Sequence, residues 1–170
     1  VGLARLWQSW GVVPDALVGH SLGEISAAHV SGALSLDEAV RLVVARGELM
    51  HQAGRNGKMA AVALSWDEAQ RVVAGRGERL TVAAHNGPRA SVVSGDAEEV
   101  DRLVASLEQQ GVACRCLRVE AAFHSAHMDT ARHALVTRMQ SLSPRPPAIP
   151  LYSTVSGERC EAESLDAAHW

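Results

Sequence analysis

Ser21 sits in Gly19-His20-Ser21-Leu22-Gly23, a G-x-S-x-G pentapeptide that follows the apolar run Ala16-Leu17-Val18 and precedes the helix-like stretch Glu24 to Val30. A serine at a sharp strand-to-helix turn projects its hydroxyl outward. The flanking glycines relieve backbone crowding, and the N-terminus of the new helix favours developing negative charge. Ser21 is therefore the first candidate for a nucleophile, and a serine nucleophile needs a base. Of the eight histidines, His124 is the best placed, at the end of an extended segment and before a helix, where sheets present reactive groups. A polar loop histidine is the competing reading there. His20 adjoins the nucleophile, but neighbours across an elbow point apart, so it shapes the site rather than takes the proton. His29, His51, His133 and His169 read as helix-surface or tail residues, and His124-Ser125-Ala126-His127 has no further clustered ligands, so no metal site is expected.

Arg46 is the second residue of interest. It falls on the stripe Ala39, Val43, Arg46, Met50, whose spacings of 4, 3 and 4 put it on an apolar helix face. Arginine is seldom buried without an anionic partner. A guanidinium pairs both oxygens of a carboxylate, so an inward Arg46 could hold an acid-bearing substrate against Ser21. An internal salt bridge, or a side chain that snorkels out to water, accounts equally for the pattern. Asn86, between two strand-like runs, reads first as a turn residue tolerating positive φ and second as the lining of a cleft.

These residues need a scaffold, and its elements are legible. Leu3, Leu6, Trp7 and Trp10 mark one helix face ended by Gly11. Ser35-Leu36-Asp37-Glu38 is a capping box opening a helix to about Ala53, stopped by Gly54 and Gly57. Met59 to Leu64 is strand-like. Ser65-Trp66-Asp67-Glu68 is a second capping box, whose helix ends near Gly75. Strands follow over Leu80 to His85 and Ala90 to Ser94, then a helix capped by Asp96 and ended by Gly111, then a strand over Val112 to Val119. The order β-α-β-β-α-β is the split βαβ, ferredoxin-like arrangement. A helix near Met128 to Leu142, a proline-rich linker (Pro144, Pro146, Pro147, Pro150) and a strand near Leu151 to Val155 complete the chain. The expected class is α/β, with a larger unit over 1–57 and 120–170 and an inserted unit over 58–119.

Composition narrows the alternatives. The 170 residues carry 16 basic and 19 acidic side chains for a net charge of −3. Charges are intermixed, so neither a nucleic-acid face nor an acidic tail is indicated. No apolar run approaches a membrane span and no signal pattern is present, so a cytoplasmic protein with no membrane or nucleic-acid partner is expected. Cys114, Cys116 and Cys160 form no C-x-x-C pair and read as reduced packing residues.

With these residues in place the chain resembles the acyltransferase domains of modular type I polyketide synthases, relatives of malonyl-CoA:acyl carrier protein transacylases. The matching words are Gly19-His20-Ser21-Leu22-Gly23-Glu24, Val44-Ala45-Arg46-Gly47-Glu48-Leu49-Met50, Asn86-Gly87-Pro88 leading to Val93-Ser94-Gly95-Asp96, Phe123-His124-Ser125, and Tyr152-Ser153-Thr154-Val155-Ser156-Gly157. The resemblance implies an α/β-hydrolase-like large subdomain with a ferredoxin-like small one, truncated here at both ends. It implies that Ser21 is acylated, that His124 is its general base and acid, that Arg46 clamps the free carboxylate of the extender unit, and that the Leu22 N–H serves the oxyanion hole. An acyl-CoA is then the donor and the phosphopantetheine of an acyl carrier protein the acceptor, with no bound cofactor. A ketosynthase domain and linker of the same polypeptide are the implied neighbours. Leu22 and Phe123 follow the malonyl-selective pattern, whereas Ala121 stands where that pattern has histidine. The family's upstream Gly-Gln-Gly word and its downstream asparagine region lie outside the chain, so alone it is expected to fold or act poorly. The competing classes are a serine esterase or thioesterase, which would gain nothing from Arg46, and a docking domain that kept the fold without the chemistry.

Overall fold

In a computed structural model describing residues 1–53, 56–119 and 121–170, the chain packs as two units, Val1–Gly47 with Ala134–Trp170, and Glu48–His133. Gly54, expected to help stop a helix, and Glu120, at an expected boundary, lie outside the described residues.

The first unit is built around two parallel strands far apart in sequence. Strand β1 (Leu17–Gly19) pairs with β6 (Leu151–Ser153), Leu17 opposite Leu151 and Gly19 opposite Ser153. Helix α1 (Gly2–Ser9) precedes β1, and helix α2 (Leu22–Val30) follows it. Helix α3 (Leu36–Ala53) opens on the expected box: the Glu38 carboxylate accepts from the Ser35 amide at 2.8 Å and the Glu38 amide donates to the Ser35 hydroxyl at 3.2 Å. Ile25, Ala28, Leu34, Leu42, Leu151 and Leu165 are buried in this unit. The proline-rich segment is no loose linker, because Arg145 N donates to Ala33 O at 2.9 Å and Ala148 N to Ser31 O at 2.7 Å. The apolar face of α1 is formed as its spacing predicts, yet Leu3, Leu6, Trp7 and Trp10 are all exposed.

The second unit has the split βαβ order. Strands β2 (Gly57–Val62), β3 (Leu80–Gly87), β4 (Ala90–Asp96) and β5 (Cys114–Cys116) form an antiparallel sheet in the order β3-β4-β2-β5. Helices α4 (Trp66–Val73) and α5 (Ala97–Gln109) supply Ala69, Val73, Val100, Leu103 and Leu107 to one core with Ala60, Val62, Leu80 and Val93. The Ser65–Glu68 capping box is formed as expected. Strand β5 is shorter than the expected Val112 to Val119, although Ala63 N to Ala113 O and Leu117 N to Met59 O, both 2.9 Å, extend its pairing with β2. The tight link between β3 and β4 is Pro88-Arg89, because Gly87 and Ala90 already pair.

The last helix, α6 (Asp129–Arg138), is shorter than expected and is preceded by a 3-10 turn, Ala126–Met128. Among the described residues no helix is long and apolar enough to cross a membrane.

Candidate active site

The turn between β1 and α2 has the geometry a nucleophile elbow requires. Ser21 takes φ 52° and ψ −118°, a left-handed conformation that costs a non-glycine residue about 1–3 kcal/mol. The flanking glycines are not equivalent. A Cβ on Gly19 would overlap the backbone of Gly23, whereas one on Gly23 would meet open space, so only Gly19 is demanded by the close approach of strand and helix. The first turns of α2 close through Gly23 N to His20 O and Glu24 N to Ser21 O, both 2.9 Å. The Leu22 N–H is among the helix-start amides that have no intrahelical acceptor and that form the positive end of the helix dipole. The Leu22 side chain and His20 are exposed beside Ser21.

Arg46 comes to the same place from α3. Its Nη2 donates to Ser21 Oγ at 3.3 Å. The buried stripe of α3 is Ala39, Leu42, Ala45 and Leu49 rather than the expected Ala39, Val43, Arg46, Met50. Val43 is exposed, and Arg46 lies half-buried on the flank of the stripe, because the true stripe is rotated by about one residue. Among the described residues no carboxylate stands within ion-pair distance of Arg46. Burial pushes its guanidinium below the usual arginine value, and the negative charge of Glu24 works the other way. The salt-bridge reading of Arg46 is thus not the arrangement found. A half-buried guanidinium with a long hydrogen bond to a serine keeps several N–H donors for an incoming anion.

Glu24 was not singled out by sequence, and it is among the few buried acidic side chains. Its Oε1 accepts from Thr154 N at 2.8 Å, and the Thr154 hydroxyl donates to Gly19 O at 3.1 Å. Burial disfavours the ionised carboxylate, but His169, Ser153 and the Thr154 amide more than offset it, so Glu24 titrates below its ordinary value. His169 Nε2 lies 3.7 Å from Glu24 Oε2, longer than a hydrogen bond. His169 is therefore a largely buried neighbour of the elbow helix and not a tail residue. His29 is likewise buried, its Nδ1 3.1 Å from Leu34 O at the end of α2. A signal for Glu24 did exist: an acidic residue in the first turn of a helix, three positions after its cap, interacts favourably with the dipole.

The remaining candidates, His124, Phe123 and Asn86, belong to the second unit. His124 is exposed and, like Ser21, adopts positive φ, 58°. These are the two non-glycine residues with positive φ among the described residues. The strained backbone at His124 is held from both sides. Ala121 and Ala122 before it are buried, and after it the Ser125 hydroxyl donates to Ala122 O at 2.6 Å while accepting from the His127 amide at 3.3 Å. Gly57 is required nearby, since a Cβ there would overlap Ala122. Phe123 is half-buried. Asp96 stands at the N-cap of α5 but makes no capping bond; its carboxylate instead lies 2.7 Å from His127 Nε2, a long-range partner that outcompetes the local one. Asn86 is not in the loop. It is an exposed residue of β3 at a register irregularity between His85 and Gly87, and its φ is not positive. Cys160 is buried, whereas Cys116 is exposed, against its expected packing role.

Comparison with known proteins matches these features. The family model described as the acyl transferase domain covers residues 1–170. The chain is 46% identical over 170 residues to the spectinabilin polyketide synthase system protein NorA of Streptomyces orinoci, which covers all of this chain and 9% of that protein. It is similar to the solved acyltransferase domain from module 8 of the salinomycin polyketide synthase, with a TM-score of 0.96 and 38% identity over 99% of this chain and 40% of that one. It is also similar to the acyltransferase domain of SpnD, solved in complex with a 2-(pent-4-yn-1-yl)malonyl group, with a TM-score of 0.90 and 40% identity over 99% of this chain and 40% of that one. The chain thus spans less than a tenth of the curated relative and under half of each of these solved chains.

Proposed function

The chain belongs to the acyl transferase domain family of polyketide synthases, and on that premise we propose that it moves a carboxylated acyl group, malonyl, from an acyl-CoA to the phosphopantetheine thiol of an acyl carrier protein through an ester on Ser21. The observation that carries this reading is the Arg46 guanidinium 3.3 Å from Ser21 Oγ with no carboxylate paired to it among the described residues. A plain esterase has no use for a cation there. An acyl group ending in a carboxylate does, because a charge-assisted bidentate contact fixes the far end while the serine attacks the thioester.

In the proposed sequence His124 takes the Ser21 proton as the oxygen attacks the thioester carbonyl. The tetrahedral oxyanion is stabilised by the Leu22 N–H at the start of α2, and CoA leaves as the thiol after protonation by His124. The carrier thiol then attacks the acyl-serine by the reverse route. Thioester exchange is nearly neutral in energy, so the task is to keep water from the acyl-enzyme. Leu22 and Phe123 support malonyl over larger extender units, by leaving less room beside the α-carbon; discrimination worth one methyl is about 1–3 kcal/mol. That a similar domain holds a 2-substituted malonyl group supports a carboxylated acyl class. Asn86 and His20 complete the proposed surroundings of the substrate. A ketosynthase domain on the same polypeptide is the proposed neighbour.

Intact-protein mass spectrometry of the full-length protein after brief exposure to equal malonyl-CoA and methylmalonyl-CoA tests the reading. The expected result is a malonyl adduct absent from Ser21→Ala. Release of CoA without an adduct would assign a hydrolase, and a dominant methylmalonyl adduct would overturn the roles given to Leu22 and Phe123.

A further inference from the structure

Ser21 holds a strained backbone, and strain of that kind persists only where the surroundings over-determine it. Inside the first unit one residue grips the elbow from both sides. Thr154, just beyond β6, donates through its hydroxyl to the carbonyl of Gly19, two residues before the nucleophile. Through its backbone amide it donates to the carboxylate of Glu24, three residues after the nucleophile. Glu24 is buried, and its own amide closes the first helical turn on the Ser21 carbonyl. The result is a closed loop of contacts, Gly19 to Thr154 to Glu24 to Ser21, around the residue with φ 52°.

We propose that Thr154 and Glu24 are positioning residues for the nucleophile, a clasp that holds Gly19 and the first turn of α2 at the separation Ser21 needs. The inference rests on the reading of Ser21 as the acylated residue. The strand pairing of β1 with β6 ends at Gly19 and Ser153, so Thr154 is the first residue beyond the ladder and free of it. Its contacts are therefore side chain and amide bonds spent on the elbow. The negative charge of Glu24 also favours the charged form of the Arg46 guanidinium beside Ser21.

The test is single-turnover acylation of Ser21 at saturating malonyl-CoA in the full-length protein, followed by mass spectrometry alongside thermal melts. Thr154→Val removes the hydroxyl at nearly constant shape. It should slow acylation roughly three- to tenfold, the cost of one hydrogen bond, with KM unchanged. Thr154→Ser should restore the rate. Acylation by Thr154→Val at the wild-type rate, or a change in KM alone, overturns the clasp. Should Thr154→Val not fold, Glu24 decides. Glu24→Gln keeps an acceptor for the Thr154 amide and should retain the saturated rate better than Glu24→Asp, which withdraws the carboxylate by one methylene. The reverse order would overturn the clasp and leave charge as the operative property. Absence of any adduct on wild-type Ser21 defeats the proposed function itself, whereas a wild-type adduct with an unaffected Thr154→Val defeats only the clasp.

Discussion

The two units solve the packing problem differently. The second closes a core within about 85 contiguous residues, with two helices on one face of a four-stranded antiparallel sheet and Val93, Val100 and Ala69 fully buried. The first, among the described residues, pairs two strands in parallel about 130 residues apart in sequence, and its Val18 and Tyr152 remain exposed on that sheet. Yet the strained serine and the arginine that donates to it lie in the first. Local antiparallel pairing repays chain entropy early, whereas parallel pairing of distant strands repays it late. The region that carries the elbow is thus the one whose order depends most on non-local contacts such as Leu17 N to Pro150 O at 2.7 Å and Thr154 to Glu24.

The contrast can be broken by a core truncation. Leu107→Ala in α5, at a fully buried position, should destabilise the second unit by about 2–5 kcal/mol. Hydrogen exchange should then show protection lost across 48–133 and retained at β1 and β6; simultaneous loss in both units would show them to be one cooperative body. Next in size, Arg46→Ala should cut acylation by carboxylated donors roughly 10- to 100-fold, the value of a hydrogen bond to a charged group, while plain acyl thioesters keep their rate. Competition between malonyl-CoA and acetyl-CoA reads this directly.

The two capping boxes offer a closer comparison. Ser65→Ala in the second unit removes the bond from the Glu68 amide and should cost about 1 kcal/mol in denaturant melts, whereas Ser35→Ala in the first removes both the bond from the Glu38 amide and the hydroxyl's own bond to the Glu38 carboxylate, and should cost about 2 kcal/mol. A loss for Ser35 well beyond that would show that the first unit amplifies local damage. The smallest effect concerns acid. Glu99 is held below its ordinary value first by the hydrogen bond from Arg76, at 2.7 Å, and also by Arg79 and Arg102. A carboxylate lowered in the folded state adds stability above its unfolded value of about 4.3 and loses it as pH falls through the folded value. Glu99→Gln should therefore flatten the acid limb of the second unit's stability curve below about pH 4.5 and change little at neutral pH.

Most of the scaffold was readable before folding, for local reasons. The capping boxes at Ser35 and Ser65, the β-α-β-β-α-β order and the strand–Ser21–helix word each rest on residues a few positions apart, whose geometry the backbone alone constrains. The structure departs from the local pattern where a distant partner displaces a near one. Asp96 was expected to cap α5, but His127, 31 residues on, holds its carboxylate. His29 and His169 read as surface residues in the sequence because nothing near them in it reports the carbonyl of Leu34 or the carboxylate of Glu24. The stripe on α3 was misplaced by about one residue, since a helical wheel tolerates that rotation until the neighbours are known.

The amino-acid sequence by itself determined the elbow's local word: a glycine at position 19 permits β1 to approach the backbone of α2 at Gly23 as closely as it does. It determined equally the order of elements in the second unit, because hydrophobic period and turn chemistry are short-range properties. Only the tertiary structure decided that Arg46 would reach Ser21, and that Thr154, about 130 residues downstream, would hold both sides of the turn. Those contacts depend on how far apart strands and helices come to rest in space, and sequence separation carries no record of that distance.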